Sequence, residues 1–184
     1  MEFGKYSFGV GDRFNHEGQA QLRALIKANK KGIAVTPVWN KSNREHDIVH
    51  SEPLGTREEA DAAVKALAWE NPYFVDADHI NLGNVDRFIE PSNFFTLDVA
   101  MYIGNEASVE DVAAFKETCK LLRDVVTIPG IEEPIQITKE LLEDVAGKYL
   151  AAIKEAGKIY RHIETVKGKG NFVTEVSMDE VEAP

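Results

Sequence analysis

Short apolar runs alternate along this chain with segments in which apolar residues recur at helical spacing. The apolar runs that predict strands are residues 6–12, 33–39, 73–78, 94–100 and 172–178. The segments that predict helices are residues 17–32, 56–69, 84–89, 108–126 and 138–170. Because strands that alternate with helices form βαβ units, the pattern predicts an α/β fold with a parallel sheet.

The strand count limits the architecture. The predicted strands are nearly continuous apolar runs, as expected when both faces of a parallel sheet are covered. A closed barrel of this type needs about eight strands and about 250 residues, whereas this sequence predicts five strands in 184 residues. We therefore expect residues 1–184 to form one domain that is either an open sheet or part of a barrel.

Local signals refine the ends of several elements. Thr56 is followed three positions on by a glutamate, which predicts a capping box at the start of its helix. Ser108, with Asp111 three positions on, is a second predicted N-cap. The polar segment 40–47, NKSNREHD, is predicted to be a loop, with His46 at the surface.

Composition indicates a globular protein whose ligand is not a polyanion. Hydrophobic residues make up 43% of the chain and charged residues 28%, and 31 acidic against 21 basic residues leave a net charge of −10. This charge argues against nucleic acid and, more weakly, against an anionic membrane surface. The sequence shows no signal-peptide pattern and no apolar run of the roughly 20 residues that span a membrane. The single cysteine, Cys119, is expected to be buried in a helix. We expect a cytoplasmic protein.

Polar side chains cluster where the predicted strands end. They are Asp12 and Arg13 after the first strand, Asn40, Lys41, Asn43, Arg44 and Glu45 after the second, Asp76, Asp78 and His79 at the third, Asp98 in the fourth, and Glu175, Asp179 and Glu180 in or after the fifth. Since sites in parallel α/β folds form at the carboxyl ends of strands, we expect these groups to meet on one rim. Lys41 and Arg44 would then grip a carboxylate or phosphate, unless they belong to a solvated loop.

The segment YFVDADHI, residues 73–80, ends an apolar strand in three ionisable side chains. Asp76 and Asp78 share one face of the strand, and His79 lies at its end. Carboxylate oxygen and imidazole nitrogen suit a divalent metal, and a carboxylate suits a general base. A helix cap or an ion pair at the rim explains the same residues, and one histidine does not make a metal site.

Glu175 lies inside the last apolar strand, in the motif TEVSM. If its side chain points inward, burial raises its pKa and makes it a proton donor at neutral pH. If the strand lies at the edge of the sheet, an outward-facing glutamate costs little. The sequence leaves both orientations open, because the parity of the strand is not known.

Four motifs occur along the chain in the order FGVGDRF, TPVWNKSNRE, YFVDADHI and TEVSMDE. As a set they resemble the tagaturonate epimerase family of metal-dependent sugar-acid epimerases. The resemblance implies the first half of a (β/α)8, TIM-type barrel, with about five strands in this chain. It also implies that Asp78 is the proton acceptor, that Glu175 is the proton donor, and that His79 binds a divalent metal cation. The remaining histidine ligands of the family lie beyond the last motif.

The resemblance further implies an isomerase that epimerises D-tagaturonate to D-fructuronate in hexuronate catabolism. From charge and rim position, we expect Arg13, Lys41 and Arg44 to bind the anionic sugar acid. Two alternatives stay open. One is another barrel sugar-acid aldolase or isomerase, and the other is an inactive barrel half that forms a homo-oligomer through its open sheet edges. We expect an incomplete metal site and little activity from this chain alone.

Overall fold

The computed structural model describes residues 3–119 and 125–179. The chain divides into two compact units, one formed by residues 1–98 and 158–177 and the other by residues 99–157 and 178–184. The expectation of a single domain stays a prediction. In the described part of the chain, no helix is long and apolar enough to cross a membrane.

The secondary structure follows the alternation predicted from the sequence. The strands are β1 Ser7–Gly11, β2 Thr36–Ser42, β3 Phe74–Ile80, β4 Phe94–Asp98, β5 Val125–Val126, β6 Ile135–Gln136 and β7 Val173–Ser177. The helices are α1 Gly18–Lys30, α2 Asn43–Val49, α3 Pro53–Ala66, α4 Val85–Ile89, α5 Val109–Cys119 and α6 Lys139–Lys167. Five strands of the first unit pair in the order β1-β2-β3-β4-β7, and every pair is parallel. The predicted α/β fold with a five-stranded parallel sheet is confirmed.

The strand register sorts side chains onto two faces of this sheet, because alternate residues of a strand point to opposite sides. We call one side the helix face. It carries Val10, Trp39, Lys41, Val75, Ala77, Phe95 and Leu97. We call the other side the carboxylate face. It carries Val38, Asn40, Ser42, Phe74, Asp76, Asp78, Phe94, Thr96, Asp98, Val173, Glu175 and Ser177.

The helix face is the apolar core of the first unit. Leu22 of α1 and Ala60 and Ala63 of α3 pack in one buried cluster with the strand residues Val10, Trp39 and Val75. The two small alanines let α3 approach the sheet closely. Further along the sheet, the ring of Phe95 meets the ring of Phe172 edge-on at 5.8 Å. Burial of this apolar surface is the main source of stability in a fold of this kind.

The carboxylate face changes character along the strand direction. Its amino-terminal half is apolar, with Val38, Phe74 and Phe94 in one buried cluster. The ring of Phe3 covers this cluster, at 5.0 Å from the ring of Phe74 and 5.6 Å from that of Phe94. Apart from Ser7 and Thr36, which begin β1 and β2, the polar residues of this face lie nearer the carboxyl ends of the strands. The ionisable strand residues of this face are therefore confined to one end of it.

The prediction of a loop over residues 40–47 is wrong. β2 continues through Ser42, and α2 begins at the next residue. A capping box starts this helix: the Glu45 N–H donates to Ser42 Oγ at 3.3 Å, and the Ser42 N–H donates to Glu45 Oε2 at 3.2 Å. His46, which we expected at the surface, is only 1% exposed. The reason is that α2 packs against the helix face, where His46 Nδ1 and Lys41 Nζ both contact Ser51 Oγ.

The two predicted N-caps had different outcomes. Thr56 does not cap its helix, because α3 already begins at Pro53, whose fixed φ suits the first turn. Ser108 does cap α5, since its Oγ accepts a hydrogen bond of 3.1 Å from the N–H of Asp111. The predicted end of this helix at 126 is wrong, because residues 125–126 form β5. Residues 120–124 lie outside the described residues.

The second unit contains α5, the first part of α6 and a small antiparallel pair formed by β5 and β6. Ion pairs join its two helices: Lys154 Nζ lies 2.6 Å from Asp111 Oδ1, and Lys116 Nζ lies 2.9 Å from Glu143 Oε1. Cys119 is buried at the end of α5, as expected. The residues proposed above for chemistry from Asp12 to Glu175 lie in the first unit, Asp179 belongs to the second, and Glu180 lies outside the described residues.

Candidate active site

A bulge in β3 brings Asp78 and His79 to the same side of the sheet. Strict alternation would send His79 to the helix face. Instead, the β3–β4 register shifts between Ala77 and Ile80, and His79 has a φ of 54°. Its Nδ1 lies 2.7 Å from Asp78 Oδ1, and its Nε2 lies 3.5 Å from Ser177 Oγ on the carboxylate face. A non-glycine residue in the left-handed region costs about 1 kcal/mol or more, and such residues cluster at functional sites.

Thr96 of β4 contacts the carboxylates of the two strands that flank it, Asp76 of β3 and Glu175 of β7. Its Oγ1 lies 2.9 Å from Asp76 Oδ2 and 3.3 Å from Glu175 Oε1, and its N–H donates to Asp76 Oδ1 at 3.2 Å. The register explains these contacts, since Thr96 pairs with Glu175 across β4 and β7. Glu175 is exposed on the edge strand β7 and lies on the carboxylate face beside Thr96, so of the two orientations left open by the sequence the structure has the one on an edge strand.

Asp76 is the most deeply buried acid of this group, with 7% of its surface exposed. Burial raises its pKa, and the negative charges of Asp78 and Glu175 raise it further, to about 7. The hydrogen bonds from Thr96 oppose this shift but do not cancel it. Asp76 therefore changes its protonation state near neutral pH, as a residue that handles protons at that pH must.

The polar end of this face also holds a buried acceptor that lacks a partner. Within the described residues, Asn40 Oδ1 accepts no hydrogen bond although it is shielded from solvent. Asn40 pairs in register with Asp76, so this oxygen belongs to the same end of the carboxylate face. Buried polar atoms in native proteins are nearly always paired, and an exception marks a place where water, an ion or a ligand is expected.

The family resemblance implies a divalent metal, and the residues in hand fit one part of such a site. The Asp78 carboxylate beside Nδ1 selects the histidine tautomer that leaves Nε2 as the coordinating atom, which is how metal-binding histidines are commonly oriented. Over residues 3–119 and 125–179, however, no group of three or more His, Cys, Asp or Glu side chains is arranged to hold a metal. This chain therefore fits the role of one ligand with its orienting carboxylate.

The model of the UxaE family, described as tagaturonate epimerase, matches residues 1–184. This chain belongs to the UxaE tagaturonate epimerase family. The resemblance carried by the four sequence motifs is thereby confirmed, and with it the assignment to a family of epimerases within the isomerases. No curated protein matches the chain.

Crystal structures of fructuronate-tagaturonate epimerase UxaE from Cohnella laeviribosi have a similar fold. A complex with one glycerol has a TM-score of 0.75 and 22% identity, and the match covers 97% of this chain and 38% of that one. The native structure has a TM-score of 0.71 and 22% identity, over 100% of this chain and 39% of that one. This chain thus spans about two fifths of the length of these structures, and a partial barrel fits that coverage.

The three basic residues predicted to bind substrate lie in different environments in this UxaE family member. Arg13 follows β1 with a side chain that is 60% exposed, and its Nε lies 2.9 Å from Glu45 Oε1. Arg44 is exposed in the first turn of α2. Both lie just beyond the carboxyl end of a strand, as expected.

Lys41 lies elsewhere, and its predicted position on a polar rim is wrong. β2 is longer than predicted, so Lys41 is a strand residue on the helix face, where it is 1% exposed. Its Nζ donates to the backbone oxygen of Arg13 and, at 2.8 Å, to Ser51 Oγ. Burial lowers the pKa of this ammonium group. The structure gives Lys41 a structural role between a loop and α2, on the side away from the carboxylates.

The sequence prediction did not assign a role to Asp76 or Thr96. Asp76 was recognised as facing the same way as Asp78, but its burial depends on the neighbouring strands. Thr96 lies in an apolar run, FFTLDVA, in which a threonine is an ordinary strand residue. A sequence signal did exist: the two lie two positions before Asp78 and Asp98 respectively, and therefore share their face.

Proposed function

We propose that this chain carries the acid–base residues and one metal ligand of an enzyme that interconverts D-tagaturonate and D-fructuronate. The observation that supports this most is the bulge in β3, which adds His79 to the face that already carries Asp78 and Glu175. A proton acceptor, a proton donor and a ligand then lie at the same end of one sheet face. The match of the whole chain to the UxaE family supports the same reaction.

The two sugar acids differ at C4 of the ketose, one carbon away from the position that the carbonyl acidifies. Direct removal of the C4 hydrogen would therefore give no enolate. A retro-aldol route avoids this difficulty. Asp78 takes the proton of the C4 hydroxyl, the C3–C4 bond breaks with its electron pair moving to C3, and C4 becomes an aldehyde. After the aldehyde turns over, the C3–C4 bond re-forms and Glu175 gives a proton to the C4 oxygen.

A divalent cation, when bound with His79 Nε2 among its ligands, would stabilise negative charge on the oxygens of the cleaved sugar. The Asp78–His79 contact has a second consequence for the protein groups. Because Asp78 Oδ1 lies 2.7 Å from the histidine, its other oxygen is the one left to accept the substrate proton. Asp78 would then both orient the ligand and act as the base.

The substrate is an anion, and the carboxylate face carries acids at its polar end. Cations from outside the strands must therefore hold the substrate carboxylate. Arg13 and Arg44 are our candidates, since each follows a strand at its carboxyl end. Arg13 would exchange part of its contact with Glu45 for the substrate.

The test is conversion of D-tagaturonate by the purified chain with Mn²⁺, Ni²⁺ or Zn²⁺, followed by chromatographic separation of the two epimers. Because this chain supplies one metal ligand, we expect D-fructuronate to form slowly, at a rate that Asp78→Asn and Glu175→Gln each reduce by about 10² to 10⁴. Asp144→Asn and Glu58→Gln change exposed acids elsewhere on the chain and should leave the rate unchanged.

Three outcomes contradict the proposal in different ways. Accumulation of three-carbon products without an epimer indicates an aldolase. A stable dimer without turnover indicates an inactive barrel half. Exchange of deuterium from C4 of a labelled substrate into water would replace the retro-aldol route by one that breaks the C4–H bond.

A further inference from the structure

The Asp76–Thr96–Glu175 contacts involve more acceptor oxygens than one hydroxyl can serve. Thr96 Oγ1 lies within hydrogen-bonding distance of Asp76 Oδ2, at 2.9 Å, and of Glu175 Oε1, at 3.3 Å. A threonine hydroxyl has one proton to donate and lone pairs to accept. One proton serves both acceptors only as a shared three-centre bond, whereas two full hydrogen bonds form when one of the carboxyl groups is itself protonated and donates to the hydroxyl oxygen.

We propose that Asp76, Thr96 and Glu175 form a proton relay in which buried Asp76 stores the proton that restores Glu175 after each turnover. The use of the relay rests on the proposed function of Glu175 as proton donor. Asp76 acts through Thr96 and does not touch the substrate, so it is a positioning residue. Nothing in the proposal requires a bound metal.

Each transfer is balanced. The proton on Asp76 Oδ2 moves to Thr96 Oγ1 while the hydroxyl proton of Thr96 moves to Glu175 Oε1. Asp76 becomes a carboxylate, Glu175 becomes a carboxylic acid, and Thr96 remains a neutral hydroxyl. The cycle closes when Asp78 releases to water the proton that it took from the substrate and Asp76 regains one proton from water. The total charge of the three groups does not change, so the transfer brings no new charge into the sheet.

The surroundings favour one shared proton over two separate carboxylates. The acids on this face are Asp78 in β3, Asp98 in β4 and Glu175 in β7. On the same face β1 contributes Gly9 and Gly11, and β2 contributes the uncharged Asn40 and Ser42. None of the described strand residues on the carboxylate face is a lysine or an arginine.

Arg13 and Arg44 lie beyond the strands at the rim, where Arg13 pairs with Glu45, and the buried cation Lys41 lies on the other side of the sheet. Lys41 points to the helix face, and α2 and α3 pack on that side through His46 and the alanines of α3. α4 meets His46 through the ring of Phe88, so it lies on that side as well. The imidazole of His79 is held by Asp78. Burial among acids raises the pKa of Asp76 to about 7, which agrees with a stored proton at neutral pH.

The experiment is a pH titration of the purified chain, followed by the ¹³C shifts of the Asp76 and Glu175 carboxyl carbons. We expect Asp76 to titrate near pH 7 and the Glu175 carbon to show a second inflection at the same pH. Thr96→Val keeps the side-chain shape and removes the hydroxyl, so the Glu175 inflection near pH 7 should disappear. Thr96→Ser restores the hydroxyl and should restore the inflection.

Two results overturn the relay. An inflection that persists in Thr96→Val shows that the two acids interact only through space. A wild-type Glu175 carbon with no inflection near pH 7 excludes the shared proton without recourse to any variant. The titration needs neither substrate nor turnover, so a failed epimerase assay with a positive titration rejects the proposed reaction and leaves the relay standing.

Discussion

The two faces of the five-stranded sheet are made from the same strands, but one forms the apolar core and the other carries the ionisable side chains. On the helix face, apolar side chains meet α1 and α3, and the cluster around Trp39 is closed to solvent. On the carboxylate face, an apolar amino-terminal half gives way to acids, amides and hydroxyls at the carboxyl ends. Alternation with a period of two therefore separates most of the residues that stabilise the sheet from those that carry chemistry, and the bulge at His79 supplies the exception.

Each face buries a titratable group, and the two differ in what burial does to them. His46, on the helix side, is held in its neutral form: burial, with Lys41 and Arg87 nearby, lowers its pKa to about 4. Asp76, on the carboxylate face, is also kept neutral, but its pKa rises to about 7. The stability of the chain should consequently depend on pH with opposite signs on the two faces.

The largest effect should come from the apolar core of the helix face. Trp39→Ala removes a side chain that is 1% exposed and leaves a cavity between β2, α1 and α3. We expect the free energy of unfolding to fall by about 3–5 kcal/mol in urea denaturation. Phe8→Ala removes a large ring from β1 that is 59% exposed and should cost less than about 1 kcal/mol. Equal losses for the two variants would show that the core is not where we place it.

Asp76→Asn should have the next largest effect on the free energy of unfolding. Replacing a buried polar residue usually destabilises a protein, but here the variant should be stabilised relative to wild type as pH rises. The folded chain holds a proton on Asp76 between its ordinary pKa of 3.8 and about 7, where the unfolded chain has released it. Wild-type stability therefore falls as pH rises through this range. Asparagine does not titrate, so the variant should gain on wild type by roughly 3 kcal/mol between pH 4 and 8. Asp144→Asn, which alters an exposed acid, should show no such pH-dependent difference.

His46 should make the free energy of unfolding depend on pH in the opposite direction. The unfolded chain takes up a proton on this histidine below its ordinary pKa of 6.5, whereas the folded chain does so only near pH 4. Wild-type stability therefore falls as pH decreases through this range. In His46→Gln, the loss of stability between pH 6.5 and 4 should shrink by about 2 kcal/mol. The exposed His50 provides the control, because His50→Gln should leave the slope as it is in wild type.

The smallest effect should come from Arg13 at the rim, with Arg87 of α4 as the comparison. Arg13 and Glu45 form an ion pair in which the arginine side chain is 60% exposed, so Arg13→Gln should cost less than about 1 kcal/mol. Arg87 is better placed, with its guanidinium donating to Asp47, Glu52 and the backbone oxygen of Ser51. Arg87→Gln should cost about 1–3 kcal/mol, measured by the same denaturation. A larger loss for Arg13→Gln than for Arg87→Gln would contradict the assignment of Arg13 to the exposed rim.

Sequence patterns predicted the order of strands and helices because that order follows from local periodicity. They also singled out Asp78, His79 and Glu175, through two short motifs at residues 73–80 and 174–180, and the roles of these residues stay predictions. They failed for residues 40–47, because the end of β2 and the start of α2 both fall within one polar segment. The capping-box spacing of Ser42 and Glu45 was present there, and it would have marked the start of α2.

The rest of the site depends on pairing between distant strands. Thr96 meets Asp76 across 20 positions and Glu175 across 79, so their contact requires the register of three strands. The bulge at His79 depends on how β3 meets β4, and alternation alone would have sent this side chain to the helix face. The prediction placed Lys41 on the rim because it ended the second strand at residue 39. In the structure β2 continues to Ser42, so Lys41 is a strand residue and its side chain points to the buried helix face.

The most direct test of the account is to follow the backbone amides of the ¹⁵N-labelled chain by NMR as D-tagaturonate is added. We predict that shift changes concentrate at residues 76–79, 96–98 and 175–177, at the carboxyl ends of the strands on the carboxylate face. Changes confined to the surroundings of Lys41 and Ser51, on the helix face, would contradict the assignment of the two faces. An absence of any change at millimolar sugar acid would contradict the proposal that this face binds the substrate.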